Sequence, residues 1–272
     1  MFKNLSIAMF LAIFSTATVR ANDVEVVFSN GDVLVTGDSA ANDLEITRLS
    51  GSVHQFRGLR GTTINGSTDP VVLPIQDDLR IWMLGGEDFL HLRNVYIRGT
   101  SHADLLVEMG RDNDEVRIDS GSIRRKVVIS DDRVFRGDDN VYIYNLSAFS
   151  VYIETQGSAR IGVTYSDISR LMVESGLVGQ DFLNISANDI DFMVVDASNE
   201  NDHLVFIQNN LSGSFVRVNL HQGNDVAQLY GNNLNHADAI FHGGAGTDQV
   251  TGQPDWWGIG WLSNVKFWNF EK

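Results

Sequence analysis

A seven-residue phrase, Gly-x-Asp-x-apolar-x-apolar, recurs along most of this chain and restricts its folds more than any other feature. Its acidic column reads Asp88, Asp114, Asp139, Ala159, Asp181, Asp202, Asp225 and Asp248, at intervals of 26, 25, 20, 22, 21, 23 and 23 residues. Asn42 stands in the column at a degenerate earlier copy. Two residues after the acid come Leu90, Val116, Val141, Ile161, Leu183, Leu204, Ala227 and Val250, and two further on a second, mostly apolar column follows. The residues between these columns are mostly polar, so each copy reads as a glycine-marked turn followed by a short alternating strand. A second alternating strand precedes most turns, as in Leu79 to Met83 and Val216 to Val218, and a weaker third segment follows, as in Val95 to Ile97.

Short strands at such a period, with no helical stretch between them, predict a stacked array. One repeat cannot bury its apolar face alone, whereas stacked coils line up like residues as ladders through a core. The chain is therefore expected to be all-β, a single-stranded parallel β-helix of about eight coils stacked at roughly 4.8 Å. A β-sandwich also gives strands between regular turns. It has no reason to repeat glycine, aspartate and apolar residues in register.

Residues 1–21 read as a secretory signal peptide. Lys3 gives a basic start, Ile7 to Phe14 an apolar run, and Val19-Arg20-Ala21 a small-residue exit with cleavage after Ala21. The run is well short of the ~20 residues a spanning helix needs, and no other stretch suggests a membrane span. Residues 22–76 are expected to form an N-terminal antiparallel β cap. Val24 to Phe28 and Val33 to Val35 flank an Asn30-Gly31 hairpin turn, and Leu44 to Ile46 with Val53 to Phe56 make a second pair. Residues 77–252 carry the coils. Residues 253–272 break the repeat and hold Trp256, Trp257, Trp261 and Trp268 with Phe267 and Phe270, read as an aromatic C-terminal cap or, alternatively, a sugar-stacking platform.

The net charge of −15 argues against nucleic acid or an anionic membrane surface as partner. It suits cation binding and plain solubility. With no cysteine, a secreted chain relies on its core, hydrogen bonds or bound ions. Nine Lys and Arg residues lie between Arg93 and Arg136, but eight acidic residues share that stretch, which reads as a solvated face.

The stretch Gly243-Gly244-Ala245-Gly246-Thr247-Asp248-Gln249-Val250-Thr251 resembles the RTX calcium-binding repeat, G-G-x-G-x-D-x-U-x with U apolar, at every specified position. Met109 to Arg117 is a looser copy, with Gly110, Asp114 and Val116 kept and Asp112 in place of a glycine. RTX repeats run in tandem at nine residues, whereas the interval here is more than twice that, so the likeness covers one nonapeptide and several fragments. It implies Ca²⁺ held by turn carbonyls and the Asp carboxylate, with Gly243, Gly244, Gly246, Asp248 and Asp225 as one candidate site and Asp112 and Asp114 as another. Stacked carboxylates about 5 Å apart also repel by about 0.8 kcal/mol per pair in water. Cations would offset this, and so would turn capping, in which Asp accepts nearby backbone N–H groups.

Asn94, Asn145, Asn209 or Asn210, and Asn232 or Asn233 suggest a structural asparagine ladder at a bend. His221 and His242 stand at similar points of consecutive coils without a third metal ligand. His91, Arg117 and Tyr142 project as an outward row, the best available catalytic guess, but no constellation of acid, base or nucleophile is recognised. Three functional readings follow: a secreted or cell-surface structural or adhesive solenoid, Ca²⁺-stabilised in one version; a lyase-like enzyme acting on polysaccharide; and a glycan-binding module. The first accounts for acidity, repeats and leader together. The expected partners are extracellular polysaccharide or cell-surface components.

Overall fold

A computed structural model describes residues 22–99, 103–131, 137–176, 178–252 and 264–271. The expected signal peptide and Trp256, Trp257 and Trp261 lie outside the described residues. Two parallel strand ladders organise the rest. In the first, eight successive pairings join Asp43–Ser50, Phe89–Ile97, Glu115–Ser130, Asn140–Thr155, Arg160–Thr164, Phe182–Ser186, His203–Ile207, Val226–Tyr230 and Gln249–Thr251. The second runs from Asp32–Thr36 through Leu79–Trp82 and Leu105–Glu108, and ends on Asp238–His242 and Asn264–Trp268. The chain is a parallel β-helix.

The register is the one the apolar columns require. Leu44, Leu90, Val116, Val141, Ile161, Leu183, Leu204 and Ala227 lie one above another and are buried; so do Ile46, Leu92, Ile118, Ile143, Val163, Ile185, Phe206 and Leu229. A one-residue slip in any coil would turn both columns outward. Each buried Leu, Ile or Val contributes on the order of 1.5–3 kcal/mol, so this pattern fixes the stacking.

Residues 22–76 form the two expected hairpins. Asp23–Ser29 pairs antiparallel with Asp32–Thr36, and Asp43–Ser50 with Val53–Gly58, to which Val71–Pro74 adds. Asn30 and Gly31 both take positive φ, 54° and 97°, as the tight turn of such a hairpin demands. The segment does more than cover an end, because Asp32–Thr36 and Asp43–Ser50 each pair in parallel with the next coil. Its hairpins thus start both ladders. At the other end Phe267 stacks on Phe241 at 5.2 Å and meets Phe270 at 6.1 Å.

Candidate functional site

The repeated aspartates point inward at the turn and are buried: Asp88, Asp114, Asp139, Asp181, Asp202, Asp225 and Asp248 are each 3% exposed or less. Each reaches the coil before it. Asn42 N–H donates to Asp88 Oδ1 at 2.6 Å, Asp88 N–H to Asp114 at 2.8 Å, and Asp114 N–H to Asp139 at 2.9 Å. Beyond the gap at Ala159, Asp181, Asp202 and Asp225 donate in turn to Asp202, Asp225 and Asp248 at 2.8–2.9 Å. One carboxylate oxygen per coil therefore caps a backbone donor that the turn leaves over.

The other oxygen differs from coil to coil. Ser175 Oγ donates to Asp181 Oδ2 at 2.5 Å, and Ser198 Oγ lies 3.5 Å from Asp202 Oδ2 and 3.2 Å from the Oδ1 that caps Asp181 N–H. Oδ2 of Asp88, Asp114, Asp225 and Asp248 is buried and meets no hydrogen-bond partner among the described residues. Burial away from water disfavours the charged form. It pushes Asp88 up to about 8 and Asp114 to about 9, although the Asn42 and Asp88 N–H groups pull the other way. Asp202 rises to about 7, Asp225 to about 6 and Asp181 also rises, all chiefly from burial. Burial raises Asp139 to about 6, restrained by the Asp114 N–H and a hydrogen bond with Asp131.

A second aspartate column, not anticipated from the sequence, runs on the other ladder with opposite polarity. Asp78 N–H donates to Asp32 Oδ1 at 3.0 Å, and Asp104 N–H to Asp78 Oδ1 at 3.1 Å. Here cations balance the charge. Arg80 lies 2.9 Å from Asp78 and 3.8 Å from Asp32, and Lys126 3.6 Å from Asp104. The signal was present as Asp-apolar-x-apolar at residues 32, 78 and 104, but it lapses over the following coils and returns only at Asp238.

The Gly243–Asp248 turn brings its expected residues together. Asp248 Oδ1 accepts from Asp225, Ala245 O accepts from Gly223 N–H at 2.9 Å, and Gly244 O accepts from Asn269 Nδ2 at 2.8 Å. The turns also press on one another. A Cβ at Gly246 would stand 1.6 Å from Gly223 O, and one at Gly137 would stand 1.6 Å from Asp112 O. The glycines are thus explained by close backbone approach. Asp112 is exposed, with φ 75°, and its Oδ2 accepts from Gly86 N–H at 3.1 Å, while Asp114 is buried in the ladder. Ca²⁺ takes about six to eight oxygens. At the Gly243–Asp248 turn the Gly244 and Ala245 carbonyls and the Asp248 Oδ1 each accept a hydrogen bond, and the Oδ2 atoms of Asp225 and Asp248 accept none among the described residues. Among the described residues no group of three or more His, Asp and Glu side chains is placed to hold a metal ion.

The asparagines sort into different columns. Asn94 and Asn145 occupy a left-handed bend, φ 52° and 54°, together with Ser120, Tyr165, Ala187, Gln208 and Gly231. The buried ladder lies one residue later. Ser166 N–H donates to Asn188 Oδ1 at 2.9 Å, Asn188 to Asn209 at 3.1 Å and Asn209 to Asn232 at 3.0 Å. Asn210 and Asn233 form an exposed companion pair at 2.8 Å.

His91, Arg117 and Tyr142 do lie in one row. His91 Nε2 sits 2.6 Å from Asp119, Arg117 pairs with Glu115, and the Arg117 guanidinium lies 5.6 Å from the Tyr142 ring centre. His221 bonds Asp196 at 2.6 Å, and His242 registers with Asn219 rather than with His221. Among the described residues no helix is long and apolar enough to cross a membrane. Comparison of the chain with protein-family models, with curated proteins and with solved structures finds no match.

Proposed function

We propose that this chain is a secreted or cell-surface β-solenoid with a structural or adhesive role. One observation carries the reading: the repeated chemistry of the sequence is directed at coil-to-coil stacking. The aspartate, asparagine and apolar columns each bond or pack against the neighbouring coil. Such a chain is a scaffold that presents rows of polar side chains on its outward strand faces. The apolar leader and the lack of cysteine agree with export and with stability that does not depend on disulfides.

The test is location. The chain tagged at its C-terminus should appear in the medium or on intact cells with its N-terminus at Asn22, and cells lacking it should attach less well to a surface. Recovery only inside the cell with residues 1–21 still attached would end this reading.

Ca²⁺ between the Gly-x-Asp turns is the competing proposal for how the rod is stabilised. Thermal unfolding in EDTA and then in millimolar Ca²⁺ separates the two. A ligand that binds only the folded state raises its stability by RT ln(1 + [L]/Kd), so a large rise specific to Ca²⁺ supports ion sites and no rise supports turn capping.

A further inference from the structure

We infer that the outward face of the coil Arg160–Thr164 is a binding subsite for a carboxylate-bearing pyranose unit of an oligosaccharide. This deepens the adhesive reading and rests on it.

The floor of the subsite is Gly162. Its strand neighbours in register are Tyr142 on one side and Asn184 on the other. The position needs no glycine for its backbone, since Gly162 is not among the residues of positive φ. A Cβ there would meet only the edge of the Tyr142 ring, at 3.2 Å. Glycine inside a strand weakens it and often marks a place where something approaches closely. Here it opens a cleft of about 220 Å³ between Tyr142, Tyr144, Arg160, Thr164, Phe182 and Asn184.

The walls have the chemistry of a sugar site. Tyr142, Tyr144 and Phe182 are 37%, 48% and 41% exposed and line one cleft, and contiguous exposed apolar surface of this kind marks ligand grooves and interfaces. Tyr165 stands edge-on to Tyr144 at 5.4 Å, and His203 edge-on to Phe182 at 5.2 Å, so both walls are braced. The strands bearing the walls are two coil steps apart, roughly 9.5 Å. That admits one ring in contact with both walls at about 3.5–4 Å from each. A pyranose has an apolar C–H face for the aromatics and a rim of hydroxyls for Thr164 and Asn184. Asn184 Oδ1 is buried beneath the cleft and has no hydrogen-bond partner among the described residues, so a small turn of its side chain is needed to reach a hydroxyl.

Arg160 supplies the selectivity. Among the described residues it has no ion-pair partner, and it is the one charged side chain lining this cleft, in a chain of net charge −15. A guanidinium on the rim of an aromatic cleft suits a carboxylate, which it can bind in bidentate fashion. The adjoining clefts carry Asp138 and Asp181 on one side and Asp167 and Asp189 on the other, so the carboxylate-bearing unit belongs at Arg160 and the neighbouring units of the oligosaccharide are neutral. Adjoining clefts share Arg160 and Phe182 on one side and Tyr144 on the other, so the groove continues past a single ring. An oligosaccharide, rather than a lone sugar, matches that length.

The probe is an immobilised panel of uronic-acid and sialic-acid oligosaccharides with their neutral counterparts, used on the whole mature chain. At least one acidic glycan should bind in preference to its neutral partner. Gly162→Val should fill the floor and weaken binding about ten-fold or more, with the unfolding temperature retained. Should valine disturb the strand, Gly162→Ala gives the smaller test. Arg160→Gln should abolish the preference for the acidic glycan while neutral binding persists. Failure of the folded chain to bind any acidic glycan on the panel, or binding that Gly162→Val and Gly162→Ala leave intact, would overturn the site. Failure of secretion would instead sink the adhesive reading, because the panel is read on purified protein.

Discussion

Ala159 shows what a single residue contributes to the ladder. It stands where other coils carry a carboxylate, so Asp139 N–H has no side-chain acceptor in the next coil, whereas Ala159 N–H itself donates to Asp181 Oδ1 at 2.8 Å. Thr155 Oγ1, four residues before it, is buried without a partner among the described residues. Ser198, four residues before Asp202, bonds that aspartate. An acceptor at position 159 would serve Thr155 Oγ1 and stand within reach of Asp139 N–H. Asn42 shows a neutral amide in the column, its N–H donating to Asp88 Oδ1 at 2.6 Å and its Oδ1 accepting from Asp38 N–H, four residues before it, at 2.9 Å. A buried hydrogen bond is worth about 1 kcal/mol. Ala159→Asn should therefore raise Tm by about 2–4 °C, and Ala159→Leu, which adds volume without an acceptor, should not. No gain with asparagine in a calorimetric scan would mean that the ladder's hydrogen bonds do not hold the coils.

At the scale of the element, the turns and bends separate two uses of unusual residues. Gly137 and Gly162 look alike in the sequence. A Cβ at Gly137 meets Asp112 O at 1.6 Å, a backbone atom that cannot turn aside, while at Gly162 it meets a ring edge at 3.2 Å. Gly137→Ala should cost about 3 kcal/mol or more, at the upper end for overpacking, and Gly162→Ala should leave the denaturation midpoint within about 0.5 kcal/mol of the parent. Equal costs at the two positions would refute the reading of the turn glycines. The left-handed bend gives a further case. Ala187 holds φ 57° with a Cβ that disfavours it. Ala187→Gly should stabilise the chain by about 0.5–1 kcal/mol, after allowing for glycine's freedom when unfolded. These bends also mark the limit of what the sequence discloses. The Asp and apolar columns were legible because the same chemistry recurs at the coil period. Tyr165, Ala187 and Gln208 share a backbone conformation but no chemistry, so nothing in their identity announces the bend. Asn188 was missed, and Asn209 and Asn232 were each left as one of two choices, because Asn94, Asn145 and Asn210 fall one residue out of column. The cleft at Gly162 was hidden for a different reason: a row of surface residues acquires walls only when the register between coils is known.

For the whole molecule, the buried aspartates tie stability to pH, and the sign follows from the direction of their shifts. Asp88, Asp114, Asp139, Asp181, Asp202 and Asp225 hold their protons more tightly folded than the ordinary value near 3.9. Their contribution is complete below about pH 4 and is lost as pH rises through each folded value, from about 6 for Asp139 and Asp225 to about 9 for Asp114. The folded chain binds more protons than the unfolded one across that window, so stability falls with increasing pH, by about 1.4 kcal/mol per pH unit for each proton of difference. Two groups oppose this in acid. His54 is buried and held low, with Nδ1 2.7 Å from Ser52 O, and Asp38 is lowered by hydrogen bonds that outweigh its burial. Both lose their contribution as pH falls, but six raised aspartates outweigh them above about pH 4, which places the optimum near pH 4. The urea midpoint should therefore be higher at pH 5 than at pH 9. Asp114→Asn should reduce the difference, because asparagine occupies the column without a proton to lose. Cations stand beside the second column, Arg80 at Asp78 and Lys126 at Asp104. A midpoint that is flat or rises between pH 5 and pH 9 would show that the aspartate ladder is ionised in the folded chain and that something other than protons balances it, which would return the weight of argument to a bound cation.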